Sequence, residues 1–312
     1  MQIQRMVPDF SMDNIPDDDP ETFRMLADGK TQGVFQLESA GITGVCVNMK
    51  PTSIEDMTAI VALYRPGPMD FIPRYIKGKN HPEEIVYLCP ELEPILAPTY
   101  GCIVYQEQVM QIVRALGGYT LGRSDEVRRA MSKKKVAVME KEREYFVYGN
   151  EELDIPGCVG NNISTEVGNK IYDSMIDFAK YAFNKSHAAA YAVVAYQTAY
   201  LRRHYYKEYM VALLSSVIGN GGKTAEYIDD LTSQGLSLLP PDINKSQAGF
   251  SAEEKGIRFG LLGIKSMGMN MIDTIIEQRR EKPFISFYDF CKRTSGRIVN
   301  RKAIEALIKS GA

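Results

Sequence analysis

From Ala188 to Leu201 the chain carries no charged residue, and small alanines alternate there with tyrosine and valine. Such a run is a good helix former that has no solvated face, so it has to be buried nearly all round. It is also shorter than the roughly 20 apolar residues that a bilayer-spanning helix needs. The run therefore predicts a core helix, with the rest of a helical domain built around it. Apolar residues at Val167, Ile171, Met175, Phe178 and Ala182 recur at helical spacing just upstream and predict a partner helix.

Breakers divide the remainder. Asp19-Pro20 reads as an N-cap followed by proline at the first helical position, and Gly29 stops that helix. A second helix is predicted from Ile54 to Tyr64, broken by Arg65-Pro66-Gly67-Pro68. Residues 73–101 lack sustained periodicity and read as an irregular loop with short helices. Gln106 to Leu116 reads as a helix ended by Gly117-Gly118, and another is predicted to start with Ser124 as its cap and run on through the basic segment. Gly149 to Asn162 is polar and Gly-rich, and the glycines at 219–222 and Leu239-Pro240-Pro241-Asp242 mark loops. Beyond them, Gly249-Phe250-Ser251 and Ile257-Arg258-Phe259 predict a small hairpin, with two helices flanking Lys265-Ser266-Met267-Gly268. The fold class expected is mostly α with a few short strands.

A net charge of −2 argues against a protein that coats nucleic acid over its whole surface. The distribution is uneven, since Arg123 to Arg143 holds eight Lys or Arg against four acids. The five cysteines are scattered without metal-ligand spacing, the three histidines are dispersed, and the phosphate-loop pattern Gly-x-x-x-x-Gly-Lys-Ser/Thr does not occur. Metal hydrolases and P-loop enzymes are thus unsupported. With no signal-like N-terminus and free thiols, a cytoplasmic location is expected.

Three places could carry chemistry. Ala182-Phe183-Asn184-Lys185-Ser186-His187 joins two predicted helices, with Ser186 placed to cap the second; free N–H groups there, with Lys185 and His187 beside them, outline an anion site. The plainer reading is a turn in which Asn184 and Ser186 only satisfy the backbone. Arg128, Arg129 and Lys133 form a basic cluster, with Arg129 and Lys133 on one helix face, suited to phosphate or simply to solvent beside Asp125 and Glu126. Ile264 to Gly268 outlines a helix-hairpin-helix turn that offers backbone N–H groups to a DNA phosphate, although any tight helix-helix turn would share that outline. The acids Asp17 to Asp19 read as capping residues and Asp229-Asp230 as part of an exposed helix, so no carboxylate pair stands ready for two-metal phosphoryl transfer.

Taken together, the segments Gly33 to Ser39, Leu63 to Pro68, Val104 to Met110, Gly118 to Asp125, Val127 to Met131 with Lys133-Lys134-Lys135, and Phe183 to Ala190 resemble, in order, the alpha subunit of bacterial DNA polymerase III. The resemblance implies a piece of that longer protein. Residues 1–240 would form the fingers domain, their first ~45 residues packing toward the palm, and residues 243–312 a hairpin and the start of a tandem helix-hairpin-helix region. It implies nucleotide contacts at Arg65, Arg128, Arg129, Asn184, Lys185 and His187, and DNA contacts at Lys133, Lys134, Lys135, Lys265 and Gly268. Template-primer DNA and a deoxynucleoside triphosphate would be the ligands. The catalytic aspartates with their Mg²⁺ ions, the other polymerase domains and the surface for the sliding clamp would lie outside this chain, leaving it inactive alone. Ala182 and Ser266 stand where the family often has glycine. The competing expectation is a non-catalytic DNA-binding or interaction module.

Overall fold

The computed structural model describes residues 3–4, 7–133, 135–179, 181, 183–294 and 299–312. The chain separates into two compact units, one of Pro16–Thr31 and Phe35–Ala199, the other of Met1–Ile15, Gln32–Val34 and Tyr200–Ala312.

The first unit is helical. Helix α1 (Pro20–Ala27) starts as expected, the Asp19 carboxylate accepting from the Thr22 N–H at 2.8 Å. Helix α2 (Ala40–Met49) was not foreseen, because its small and apolar residues are spread all round the helix and give no period. Helix α3 (Ile54–Leu63) is capped by Ser53, and its Asp56 is buried in an ion pair with Lys79 of α4 (Ile72–Asn80). The stretch read as an irregular loop with short helices thus holds most of α4 and then the short helix α5 (Glu93–Leu96).

Helix α6 (Gln106–Gly117) buries Val109, Ile112, Val113 and Leu116, one apolar stripe, and Gly118 closes it at φ 76°. Helix α7 (Leu121–Ser132) is capped by Thr120, whose side chain accepts from the Arg123 N–H. The expected cap Ser124 is instead fully buried one turn in, donating to the Leu121 carbonyl at 2.7 Å. The basic segment is not one helix either: α7 ends at Ser132 with Lys133 as its C-cap, and a separate helix α8 (Val136–Tyr148) starts after Lys135. Helices α9 (Gly157–Gly160) and α10 (Thr165–Ala179) follow, and Phe146, Val147, Ile171, Tyr172 and Met175 complete the core around α6. Each such side chain, fully buried, contributes about 1.5–3 kcal/mol.

Helix α11 (Lys185–His204) contains the uncharged run. It buries Ala188, Ala192, Ala195, Tyr196 and Ala199 but leaves Val193 and Val194 over 40% exposed (42% and 43%). The expectation of burial all round is corrected accordingly: alanines make one close-packed stripe, and the opposite face stays open.

In the second unit, α12 (Tyr206–Ser216) and α13 (Gly221–Ser233) pack Met210, Leu214, Tyr227 and Leu231 against Phe250 and Ile257. Gly221 and Gly222 open α13 rather than a loop, with the Asn220 side chain accepting from Lys223 N–H. Asp230 is not an exposed acid: it receives a two-pronged pair from the 3%-exposed Arg202, at 2.8 and 2.9 Å, and the Tyr206 hydroxyl at 2.8 Å. The expected hairpin is present as β2 (Ser251–Glu253) and β3 (Gly256–Arg258), and an unforeseen β1 (Ser237–Leu239) adds in parallel to β3 with Leu238 opposite Ile257. A last cluster joins Leu261, Ile272 and Ile275, Phe290, and Ala303 and Leu307 across α14 (Met269–Glu281), α15 (Phe287–Thr294) and α16 (Arg301–Ser310).

Candidate functional site

The start of α6 is where the first unit brings the predicted residues together. Gln108, 5% exposed, turns its side-chain carbonyl back to the N–H groups of Val104 and Tyr105, at 2.7 and 3.0 Å, and its amide donates to Thr99 Oγ1 at 2.7 Å. This fixes the entry to the helix, in the manner of a capping box. Tyr105 pairs with Phe183 in a short parallel bridge, the Gln106 N–H donating to the Phe183 carbonyl at 2.9 Å. The first turns of α6 and α11 therefore open side by side.

At the α11 start, Asn184 rather than Ser186 is the cap, its Oδ1 accepting from the His187 N–H at 2.9 Å. The Glu107 carboxylate accepts from the Lys185 N–H at 3.1 and 3.0 Å and from Asn184 Nδ2 at 3.1 Å. A negative group thus already sits where the helix offers positive potential. The His187 ring lies against Phe183 and Tyr191, with centroids 5.3 and 4.4 Å away. Lys185 extends over the Tyr105 ring at 5.5 Å. Arg65 lies beneath the same turn: its guanidinium stands 4.2 Å over the Phe183 ring and donates to the Tyr181 carbonyl at 2.7 Å. Burial pulls its pKa below the ordinary arginine value. Gly67, at φ 103°, allows the approach, since a Cβ there would fall 2.4 Å from the Tyr181 ring.

Helix α7 carries the arginines, of which Arg128 reaches the same α6 start. Arg128 donates to Asp125 Oδ1 through Nε at 2.8 Å and Nη2 at 2.6 Å, and through Nη1 to the Gln106 side chain at 2.9 Å. Arg129 pairs with the other oxygen of Asp125 through Nε at 2.7 Å, its side chain 65% exposed. These hydrogen bonds, Arg128 first, hold the Asp125 carboxyl below the usual carboxylate range. Arg123 ties α7 to α8 by its bond to Glu142 at 2.6 Å, with the Tyr119 hydroxyl on the second oxygen at 3.1 Å. Burial nonetheless raises the Glu142 pKa, outweighing the arginine. Arg123 Nε is buried without a hydrogen-bond partner, and its guanidinium lies 5.9 and 5.5 Å from the Tyr119 and Tyr145 ring centroids.

The predicted DNA contacts fall in two places. Lys133 is the C-cap of α7, outside the helix, and so does not continue the Arg129 face; it and Lys135 are exposed on the turn. Lys134 and Ala182 lie outside the described residues. In the second unit, Lys265 and Gly268 are exposed on a turn whose Ile264 and Met267 are buried. The element before that turn is a single 3₁₀ turn (Leu261–Gly263), not a full helix. Ser266 adopts φ 70°, the left-handed region where glycine is favoured. An open cleft of about 620 Å³ adjoins the turn, lined by Lys265 and Ser266 together with Lys302, Glu305 and Lys309 of α16. Sequence reasoning missed Lys302 and Lys309, and it missed Gln106 and Glu107, whose partners are 22 and 77 residues away or more and leave no local signal.

Among the described residues, the one grouping of three possible metal ligands is His81, Glu83 and Glu84, all exposed, with Glu84 engaged by Lys77. A histidine with flexible surface glutamates does not fit the hard oxygen octahedron of Mg²⁺. The buried acids Asp56 and Glu142 and the partly buried Asp230 each face a cation instead.

The first unit thus gathers cations around the start of α6, and the second carries a turn flanked by the helices of its own cluster. Residues 2–154 match the bacterial DNA polymerase III alpha subunit finger domain, and residues 235–312 match a helix-hairpin-helix motif. DNA polymerase III alpha subunits of Halalkalibacterium halodurans, Bacillus subtilis and Thermus aquaticus are 45%, 44% and 46% identical over 97% of this chain, which covers 26%, 26% and 25% of their lengths. The chain belongs to the bacterial DNA polymerase III alpha-subunit family, and it spans about a quarter of the length of these relatives.

Proposed function

We propose that this chain supplies the nucleotide grip and part of the template-primer contact of a replicative DNA polymerase, which joins deoxynucleotides to a primer 3′ end. The grip consists of Arg128 and Arg129 on one side, Asn184, Lys185 and His187 on the other, and Arg65 supporting the turn from beneath. In this reading the fingers extend beyond the matched 2–154 to about 240, and residues 243–312 begin the DNA-binding helix-hairpin-helix region. Lys133, Lys134, Lys135, Lys265 and Gly268 would meet phosphates, which positions the duplex without reading its sequence. The Mg²⁺ ions, the carboxylates that hold them, and the clamp-binding surface would belong to the remaining domains, and the whole would work in the cytoplasm.

The observation that carries the reading is that the arginine pair and the 184–187 turn are each hydrogen-bonded to the first turn of α6, Arg128 to Gln106 and Lys185 to Glu107. Two cationic features from distant parts of the sequence thereby flank one helix start. Arginine forks match phosphate oxygens, at roughly 1.5–3 kcal/mol for each charge-assisted bond. In the full-length polymerase, Arg129→Ala and Arg128→Ala are each expected to raise the apparent KM for nucleotides about tenfold or more. Unchanged KM in both variants would remove them from the pocket. Primer extension by the 312-residue chain alone is expected to be nil, and measurable incorporation would place the reaction centre within it.

A further inference from the structure

One carboxylate holds both arginines of the grip. Each oxygen of Asp125 serves one guanidinium, Oδ1 taking Nε and Nη2 of Arg128 and Oδ2 taking Nε of Arg129, all between 2.6 and 2.8 Å. The spacing makes this possible: residues three and four apart on a helix project to the same side. A planar group with two anionic oxygens, each capped by an arginine, presents the acceptor pattern of two phosphate oxygens. The two arginines differ in their other ties. Arg128 is also anchored by Gln106 and is half-buried, so it remains in place if Asp125 lets go. Arg129 is mostly exposed and, among the described residues, its guanidinium meets Asp125 alone.

We propose that Asp125 is an internal counter-ion which keeps the arginine pair partly neutralised until a phosphate chain displaces it, making Asp125 a specificity-determining residue that favours polyphosphate over single phosphate. This rests on the grip proposed above. Displacement exchanges one carboxylate for the incoming anion. An anion with one phosphate group gains little beyond what Asp125 already gave, whereas a triphosphate brings further charge and oxygens that reach Arg129 as well as Arg128. The anion with more charge therefore gains more from the exchange, and the carboxylate sets a threshold that simple phosphate does not pass.

The test is calorimetric titration of the 312-residue chain with inorganic triphosphate and, separately, with inorganic phosphate. Asp125→Asn, which keeps the shape, and Asp125→Ser, which keeps only a short polar group, are compared with Glu166→Gln. The last removes a more exposed carboxylate, likewise paired with a cation on its own helix, from the Glu166–Lys170 pair of α10. Both Asp125 variants are expected to bind triphosphate about three- to tenfold tighter, and to gain more for phosphate, so that the preference between the two narrows; Glu166→Gln leaves both unchanged. Equal or weaker triphosphate binding in folded Asp125 variants, including no binding by any form, overturns the counter-ion role, and so does an equal gain in Glu166→Gln. The double variant Arg128→Ala/Arg129→Ala separates the two claims. If it abolishes binding while Asp125→Asn changes nothing, the grip stands and the counter-ion falls; if it binds triphosphate as the unmodified chain does, the grip itself falls.

Discussion

Gln108 shows how one buried polar side chain governs a site it does not touch. Its amide satisfies the N–H groups of Val104 and Tyr105 and reaches Thr99, so that the chain enters α6 at one fixed angle. The Gln106 and Glu107 side chains take their positions from that angle. Gln108→Ala leaves two buried N–H groups without acceptors, at about 1–3 kcal/mol each. A loss of about 2–4 kcal/mol in urea unfolding is expected, and a loss under 1 kcal/mol would mean that water or a backbone shift replaces the amide. The cysteines give a second test at this scale. Burial pushes the Cys46 and Cys158 thiols up to about 12 and Cys89 up to about 11, and raises Cys102. At neutral pH, Cys46 and Cys158 are then thiolate in only about one molecule in ten thousand or fewer. Brief alkylation of the native chain is expected to label Cys291, the one cysteine that is not buried. Equal labelling of Cys46 or Cys158, read by peptide mass spectrometry, would contradict their burial.

Among the elements, the connection from α8 to α9 depends on two glycines in close approach. Gly149 has φ 89° and Gly157 φ 68°, and a Cβ on Gly157 would fall 2.3 Å from the Gly149 nitrogen. Gly157→Ala therefore adds left-handed strain, worth roughly 1–2 kcal/mol, to a clash with backbone that has no flexible end to move. A clear fall in Tm is expected, more than for Gly122→Ala, where nothing lies within 4 Å of the added carbon. Equal melting of the two variants would show that the turn relaxes freely. The same connection returns the chain to α10, whose Met175 and Ile171 close the core on α6. Damage to it is thus expected to loosen the helix that holds the site together.

For the molecule as a whole, the DNA contact proposed above predicts that the lysines of the second unit contribute to affinity through charge. Lys265, Lys302 and Lys309 line one cleft, although the first comes from the hairpin turn and the other two from α16. If a phosphate backbone lies there, each lysine lost lowers the slope of log affinity against log salt by about 0.9. Lys302→Ala/Lys309→Ala is expected to flatten that slope by roughly 2 for duplex DNA, with no change in sequence preference. An unchanged slope would take the cleft out of DNA binding.

Much of this architecture could be read from the amino-acid sequence, because it is fixed by neighbours along the chain. Asp19-Pro20 and Gly118 mark helix ends by their own backbone preferences, the stripe from Val109 to Leu116 has a period, and the hairpin of β2 and β3 is local. The uncharged run at 188–201 likewise called for a helix, although only its alanine stripe is buried. What tertiary structure alone decided is pairing between residues distant in sequence. It put Glu107 on the start of α11, Gln106 on Arg128, Arg202 on Asp230, and β1 beside β3. It also chose Thr120 over Ser124 and Asn184 over Ser186 as caps, since several polar residues could serve locally and packing selected among them. A sequence records which groups seek a partner; the partner found depends on which surfaces the core brings within bonding distance.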